Sequence, residues 1–457
     1  MESATNKLGT AKIGPLLLQL ALPAITAQLI NMLYNIVDRI YIGHMAENGN
    51  LALTGVGVCF PVIILIMAFS SLVGMGGAPQ AAIYLGKKEE KNAQKVLGNC
   101  FVVLIGLAVI LTAVFLIFGR NMLMIFGASD NTIEYAVAYM NIYVSGTIFV
   151  MISLGLNAFI TTQGYAKTSM MTVVIGALVN IVLDPIFIFG FQLGVKGAAY
   201  ATVLSQGISA VWVLRFLTGK KTTLRIRKAD FKLEKKIILP VLALGLSPFV
   251  MQSTESLLSI AFNSSLQRYG GDLAVGAMTI LNSVMQILSM PLHGLTQGAQ
   301  PIISYNYGAG NRERVEKAFK LLFCCAVSFS TAFWLFNMIF PRAMVSLFGS
   351  TEALLEEASW ALRIYFATSF VMGVQNSCQQ TFVAVGQAKI SLFLACLRKI
   401  ILLIPLIYIL PNFFEDKVFA VFLAEPVADF LAASTTFVMF CIVFRRLMNQ
   451  IGERKNA

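Results

Sequence analysis

Long apolar stretches follow one another along the whole chain and are separated by short polar segments. A helix needs roughly 20 mainly apolar residues to cross the hydrocarbon core of a bilayer. Polar residues within these stretches recur at helical spacing instead of alternating, which favours helices over a transmembrane β-barrel. We therefore predict twelve membrane-spanning helices, at residues 15–43, 51–84, 96–117, 133–160, 169–191, 198–216, 237–266, 273–305, 318–340, 360–385, 390–410 and 418–444.

Composition supports a membrane protein and argues against a water-soluble one. The 457 residues are 57% hydrophobic and only 12% charged, whereas soluble chains contain about 25% charged residues. An ordinary cytosolic enzyme is therefore excluded, and we expect no catalytic activity. All seven cysteines fall in the apolar stretches and form no CxxC pair, so we expect them to pack as small hydrophobic side chains and predict no metal centre or cofactor.

The positions of the basic residues predict the orientation in the membrane. Alternate loops, counted with the N-terminus inside, hold 25 Lys and Arg on one side and 5 on the other. Basic short loops stay in the cytoplasm, so we expect a multi-pass plasma-membrane protein with both termini cytoplasmic. Topology accounts for the net charge of +12, so no nucleic-acid partner is needed. The basic segment 215–236 is either an ordinary cytoplasmic linker or a contact for anionic lipid headgroups.

Short sequence matches separated by 221 or 222 residues indicate an internal repeat. The matching pairs are 51–52 with 273–274, 77–78 with 298–299, 86 with 308, 126–127 with 348–349, and 164–167 with 386–389. We predict an all-α membrane protein with an N-terminal six-helix bundle at 1–218, a basic cytoplasmic linker at 219–236 and a C-terminal six-helix bundle at 237–457. Parallel repeats of this kind are typical of secondary transporters. Since no Walker loop is present, an ion gradient must supply the energy.

One face of the first predicted helix is polar along most of its length. Its polar residues are Gln28, Asn31, Asn35 and Asp38, with Tyr34 beside them. They fall within about 80° of one another on a helical projection, so this face either lines a cavity or packs against another helix. Pro23 removes one helix hydrogen bond and is a candidate hinge.

A second polar group falls in the fifth and sixth predicted helices. Asn180 and Asp184 are i, i+4 neighbours, and Pro185 frees a backbone carbonyl one turn earlier and is a second candidate hinge. Thr202 on the next helix adds a hydroxyl. Oxygen ligands without Cys or His suit Na⁺, and close carboxyl groups equally suit a proton. Alternatively, Asp184 and Pro185 only terminate a broken helix.

The remaining candidate residues are predicted to line a substrate cavity. They are Asn157 in the fourth helix, Gln252, Glu255 and Ser259 in the seventh, Asn282, Gln286 and His293 in the eighth, and Gln379 in the tenth. Glu255 would attract a cationic substrate, and the amides would adapt to varied partners. His293 either titrates or packs through hydrogen bonds. Glu425 and Asp429 either line a lateral opening or pair with Arg398 or Lys399.

Three segments resemble the multidrug and toxic compound extrusion (MATE) transporters, in particular the DinF-like bacterial branch with its MepA-type exporters. They are LALPAITAQLINMLYNIVDRIYIG at 20–43, VNIVLDPIFIFG at 179–190 and GAAYATVLSQG at 197–207. The resemblance implies a V-shaped pair of bundles that exports cationic, amphipathic aromatic drugs in exchange for Na⁺ or H⁺. It also implies that Asp38, Asn180, Asp184, Thr202 and the Ala198 carbonyl form the cation site. Glu255 matches an acid of the NorM-type branch, but that branch's Asp in the tenth span is absent here, so a second complete cation site is not expected.

The sequence therefore predicts a H⁺- or Na⁺-coupled multidrug antiporter that works by alternating access, as a monomer, with the coupling ion as its only cofactor. A flippase for lipid-linked oligosaccharide precursors is the alternative. It would need several basic residues in the cavity, whereas acids and amides dominate here. A membrane receptor is disfavoured because the longest segment between spans is short. The coupling ion, the drug spectrum, the stoichiometry and the favoured conformation are left open.

Overall fold

The computed structural model describes residues 4–43, 49–220, 222–348 and 351–456, and within them not the side chains of 4, 35, 39, 43, 49, 50, 53 and 452–456. The first half contains helices α1 (Ala4–Thr10), α2 (Ile13–Gly43), α3 (Gly49–Val58), α4 (Phe60–Gly86), α5 (Glu90–Ile125), α6 (Ile133–Ser145), α7 (Thr147–Thr162), α8 (Ala166–Pro185) and α9 (Val195–Thr218). The second half contains α10 (Lys235–Gly308), α11 (Arg312–Ile339), α12 (Pro341–Ser346), α13 (Glu352–Tyr365), α14 (Met372–Ala384), α15 (Ala388–Cys396), α16 (Ile404–Ile409) and α17 (Lys417–Asn456).

Short segments of other helix types interrupt these elements. Two π-helical segments are Ile186–Gly190 and Leu397–Leu403, and three 3₁₀ segments are Lys228–Asp230, Ser369–Val371 and Leu410–Asn412. None of the residues that the structure describes is in a β-strand. The predicted all-α fold is confirmed.

Several of the predicted spans are broken or joined. Within the described ranges, nine helices are long and apolar enough to cross a membrane, or ten if α6 and α7, which bend by 55°, form one span. Helix α10 has 74 residues and would extend about 110 Å if straight, far more than one bilayer. It bends at Gly271, whose φ of +64° favours glycine, and thus contains the predicted seventh and eighth spans. The tenth span is α13 and α14, joined by a 3₁₀ turn.

The helices form two lobes, each with its own apolar core. One core contains residues between Ile42 and Val241, and the other contains residues between Leu258 and Phe422 together with Ala424 and Ala428. Helix α10 crosses from one to the other, since its first turns pack in the N-terminal core and the rest in the C-terminal core. The two-lobe organisation that the repeat predicted is therefore present.

Glycines bring the lobes into contact in a nearly symmetric way. A Cβ on Gly86 would collide with the Tyr305 carbonyl, and a Cβ on Gly308 would collide with the Ile83 carbonyl. Each glycine and each of its contacts is 222 residues from its counterpart, so this contact follows the internal two-fold repeat. Only a residue without a side chain allows such a close backbone approach.

The amino-terminal helix α1 fastens both lobes at this same end. The Arg314 guanidinium donates hydrogen bonds to the carbonyls of Leu8 at 3.0 Å and Ala11 at 2.8 Å. The Thr5 hydroxyl donates to the Gln163 carbonyl of the first lobe at 3.4 Å. Farther along α10, the polar side chains of Glu255, Ser259 and Gln286 are exposed. The lobes are therefore held together at the end that carries α1 and leave these polar side chains accessible away from it.

Candidate cation site and inter-lobe cavity

A buried carboxyl and amide pair lies inside the N-terminal lobe on α8. Asp184 is fully buried and Asn180 is 1% exposed, and the Asn180 amide donates to Asp184 Oδ1 at 3.2 Å. Asp184 Oδ2 and Asn180 Oδ1 accept no hydrogen bond from any described residue. Buried acceptor oxygens without a donor are costly, so this pair is suited to hold a proton or a cation.

Two other helices supply polar groups around this pair. The Asp38 carboxyl on α2 is a close neighbour of the Asp184 carboxyl, and the Tyr34 hydroxyl lies within the electrostatic range of both. The Thr202 hydroxyl on α9 donates to the Ala198 carbonyl at 3.0 Å. Asp38, Asn180 and Asp184 therefore meet as the sequence predicted, with Thr202 and Ala198 on the adjoining helix.

Local backbone chemistry explains how α8 and α9 approach each other. After Pro185 the chain continues as the π-helical segment Ile186–Gly190, because proline cannot donate to the carbonyl one turn earlier. A Cβ on Gly197 would lie 2.7 Å from the Phe187 carbonyl oxygen, so glycine lets the start of α9 pack directly on this segment. By contrast, α2 runs through Pro23 as one helix, and the predicted hinge there is not open in this conformation.

A small cavity of about 40 Å³ adjoins this site inside the same lobe. It is lined by Asn31, Tyr34 and Asn157 among others. The Asn157 amide donates to the Ser169 carbonyl at 3.2 Å, and Asn157 Oδ1 accepts from the Thr172 hydroxyl at 2.9 Å. Such a volume admits water but no drug, so Asn157 lies within the lobe and not in a drug-sized cavity. The Asn35 side chain lies outside the described part.

Other predicted cavity residues lie where the lobes face each other. The Gln28 amide donates to Gln297 Oε1 at 3.4 Å, and the Gln252 amide donates to the Ser71 hydroxyl at 2.9 Å. Further along the diverging helices, Glu255, Ser259 and Gln286 are exposed, whereas Asn282 and His293 are partly exposed. These residues form a polar lining on the C-terminal side of the inter-lobe cleft.

Glu255 is not alone in this cleft. Its carboxylate forms an ion pair with the Lys399 ammonium, which also donates to the Met251 carbonyl at 2.6 Å. The Lys399 side chain is only 5% exposed, whereas the Glu255 side chain is 58% exposed. The lysine therefore approaches from the lobe interior and leaves one side of the carboxylate accessible. This pairing was not predicted.

Two buried acids on α17, Glu425 and Asp429, are also paired. Arg398 Nε donates to Asp429 Oδ1 at 2.6 Å, and another guanidinium nitrogen lies 3.3 Å from Glu425 Oε1. All three side chains are at most 13% exposed. Of the alternatives that the sequence left open for Glu425 and Asp429, the structure shows pairing with Arg398.

Gln379 lies deeper than the sequence predicted. It is 3% exposed and accepts a hydrogen bond from Gln375 at 2.9 Å. Its amide points to the Met251 sulfur at 3.3 Å and the Ser247 hydroxyl at 3.4 Å. Gln379 thus stabilises contacts between α10, α14 and α15 instead of lining the cleft.

Tyr139 is a site residue that sequence reasoning missed. Its buried hydroxyl lies beside Thr202 and within the electrostatic range of Asp38. It comes from α6, which the sequence marked only as half of an apolar span. The nearby small residue Gly146, where α6 ends, was the only local signal of a break that could reorient such a side chain.

Two helical lobes with polar side chains between them, and a buried carboxyl group inside one lobe, are the organisation typical of membrane transporters. The model of the MatE family matches residues 23–186 and 248–409, one match in each half. The chain belongs to this family of multidrug export transporters. It is therefore a multi-pass membrane protein of a transporter family.

Relatives support the same assignment over nearly the full length. The chain is 25% identical over 418 residues to the multidrug export protein MepA of Staphylococcus haemolyticus, covering 91% of each chain. Its fold matches a MATE structure in the bent conformation with a TM-score of 0.92 at 23% identity, over 99% of this chain and 100% of that one. A MATE structure in the straight conformation gives 0.90 at 24% identity, over 97% and 99%.

Proposed function

We propose that this protein exports cationic, amphipathic drugs in exchange for H⁺ or Na⁺, which binds at Asp38 and Asp184. The observation that carries the proposal is the buried Asp184 and Asn180 pair, which leaves two oxygens without a donor. A proton on Asp184 supplies one donor, and Na⁺ would collect several of these oxygens. Ionisable groups at membrane depth are rare and mark ion pathways.

Charge in the cleft favours a cationic cargo. Three acids, Glu255, Glu425 and Asp429, share two basic partners, Arg398 and Lys399, and Glu255 is the most exposed of these five side chains. The accessible side of Glu255 and the neighbouring amides present a negative and adaptable surface. MepA, a relative over 91% of its length, is named as a multidrug export protein, which agrees with this substrate class.

The pairing of the basic residues argues against a lipid-linked oligosaccharide flippase. Such a cargo carries anionic phosphate groups, which need cations that are free to bind them. Lys399 is buried and Arg398 is 13% exposed, and both pair with acids of their own lobe. Charge in the cleft thus supports drug export over the flippase alternative.

Coupling requires that ion and drug each prefer a different conformation. We place the cytoplasm at the end where α1 fastens the lobes, following the loop charges, so the described conformation opens outwards. Cation binding at Asp38 would bend α2 near Pro23 and reduce the space for the drug. Solved MATE structures titled bent and straight match this chain almost equally, with TM-scores of 0.92 and 0.90.

The test is dye efflux from proteoliposomes under an imposed Na⁺ gradient or an imposed pH gradient, each applied separately. We expect ethidium transport with one of them, and its loss in Asp38→Asn. The matched control is Asp130→Asn, which changes an exposed loop carboxylate. Transport at the wild-type rate by Asp38→Asn would disprove the cation site, and a response to neither gradient would disprove antiport.

A further inference from the structure

An aromatic groove lies between α11 and α17, away from the candidate cation site. Its cavity has a volume of about 370 Å³. Five phenylalanines line it, namely Phe319, Phe323, Phe437, Phe440 and Phe444. Phe319 and Phe440 stack at 4.4 Å, whereas Phe437 is 44% exposed. The groove therefore opens on the outer surface of the lobe, with an ordered apolar floor.

Basic side chains surround one end of this groove. Arg312, Lys320 and Arg445 line it together with one acid, Glu316. Glu316 forms an ion pair with Arg312 at 2.7 Å, so Lys320 and Arg445 contribute the net positive charge. Arg312 begins α11, and Arg445 lies about two turns beyond Phe437 on α17. The basic end thus belongs to the membrane surface and the aromatic part to the hydrocarbon.

The N-terminal lobe shows what covers the equivalent position there. With the repeat offset of 222, Phe323 corresponds to Phe101 and Glu316 to Gln94. The ring of Phe231, in the linker, packs on Phe101 at a centroid distance of 5.3 Å. Gln94 Oε1 accepts a hydrogen bond from the Arg225 backbone at 2.9 Å. The linker therefore fills this position in the first half.

In the second half the aromatic rings packed on Phe319 and Phe323 come from α17 itself, with Phe444 at 5.2 Å and Phe437 at 6.3 Å. Helix α9 ends at Thr218, after which the chain turns back along α5. Helix α17 instead continues past the corresponding residue, Phe440, to Asn456. The linker thus packs on the aromatic surface in one half, whereas a groove of about 370 Å³ remains between α11 and α17 in the other.

We propose that an anionic glycerophospholipid occupies this groove. An acyl chain would pack on the phenylalanines, and the phosphate would lie between Lys320 and Arg445. Basic pockets between membrane helices bind such headgroups. A cationic drug fits the aromatic part but would be repelled by the net positive end. A zwitterionic lipid would be attracted to that end less strongly than an anionic one. The lipid would take the place that the linker takes in the other lobe.

The test is native mass spectrometry of delipidated protein titrated with phosphatidylglycerol or phosphatidylcholine. We expect tighter binding of phosphatidylglycerol, and a roughly 30-fold weaker affinity in the double variant Lys320→Gln, Arg445→Gln, at about fivefold per lost charge. The control is Arg446→Gln, which removes the adjacent exposed charge that does not line the groove.

A second variant tests the apolar part independently of the charges. Phe437→Trp places a fluorophore at the exposed edge of the groove, and phosphatidylglycerol with brominated chains should quench it more than brominated phosphatidylcholine does. Equal affinity of the wild type for both lipids, equal quenching by both, or an equal loss of affinity in Arg446→Gln would overturn the proposal.

Discussion

The two lobes handle buried carboxylates in opposite ways. In the C-terminal lobe Glu425 and Asp429 are paired with Arg398. In the N-terminal lobe Asp184 has the Asn180 amide as a donor, and its second oxygen accepts from no described residue. The C-terminal lobe thus pairs its buried acids with its own arginine, whereas the N-terminal lobe leaves room for a cation from outside the protein.

The repeat shows where this difference arises. With the offset of 222, Arg398 and Lys399 correspond to Gly176 and Ala177. Those small residues line the 40 Å³ cavity beside the candidate cation site. Equivalent positions on the fifth and eleventh spans therefore hold a cavity in one lobe and two cations in the other. A shared backbone fold supports two different electrostatic roles because the roles depend on these side chains.

The largest effect is expected from Arg398→Met. Removing one partner of a buried ion pair leaves uncompensated charge and costs about 3–5 kcal/mol of unfolding free energy. Glu425 and Asp429 would both lose their cation. Denaturant unfolding in detergent micelles measures the change.

A triple variant separates charge from packing. Arg398→Met combined with Glu425→Gln and Asp429→Asn removes the charges together, and it should recover most of the lost stability. If the triple variant were as unstable as Arg398→Met alone, packing of the arginine and not charge balance would explain the loss.

Asp184→Asn is expected to separate stability from transport. The site has no described internal cation to strand, so the unfolding free energy should change by no more than about 1 kcal/mol. Gradient-driven dye efflux should nevertheless fall to background, because the amide cannot bind the proton and has no charge to hold Na⁺. Unfolding and proteoliposome transport are measured on the same preparation.

The change in unfolding free energy of Asp184→Asn can be compared directly with that of Arg398→Met. A loss of stability in Asp184→Asn as large as that of Arg398→Met would mean that Asp184 is structural. Asp272→Asn serves as the control, since that carboxylate lies on the exposed surface and accepts a hydrogen bond from Gln267 at 2.9 Å.

Sequence reasoning predicted the fold class and the N-terminal cluster because both follow local spacing. Helical periodicity places Asn180 and Asp184 one turn apart, and they do form a hydrogen bond. The repeat offset also predicted two lobes. The exact ends of the spans were harder to predict, since the break at Gly146 and the continuous helix through Gly271 depend on tertiary packing.

The pairing of charges in the C-terminal lobe was harder to predict. Lys399 and Glu255 are 144 residues apart, so no local pattern connects them. The π-helical segment Leu397–Leu403 contains both basic residues, and it changes the helical phase on which a facing argument depends. Tyr139 was missed for a similar reason, because the bend between α6 and α7, and not a polar stripe in the sequence, determines the position of its side chain.

Lys399→Met should produce a moderate gain in substrate binding. The lysine neutralises Glu255, whose side chain is 58% exposed, and such partly exposed pairs contribute up to about 1 kcal/mol. Without the lysine, a monovalent cationic dye should bind about fivefold more tightly. Fluorescence titration measures this affinity. Lys389→Met, outside the cleft, is the control, and weaker or unchanged dye binding in Lys399→Met would contradict the role of the lysine as an internal counter-ion.

The smallest effect is expected from Tyr139→Phe, which removes one neutral hydroxyl near Thr202 and Asp38. The carboxyl groups of the N-terminal site are surrounded by neutral partners, and losing one neutral hydrogen-bonding group costs about 1 kcal/mol. The ion concentration that half-saturates transport should therefore rise about fivefold, with the maximal rate unchanged. Tyr135→Phe, one turn away on the same helix, should change neither value. A loss of transport as complete as that expected for Asp184→Asn would mean that Tyr139 takes part in ion transfer itself, and the contrast between a site built on neutral groups and a lobe built on formal cations would no longer hold.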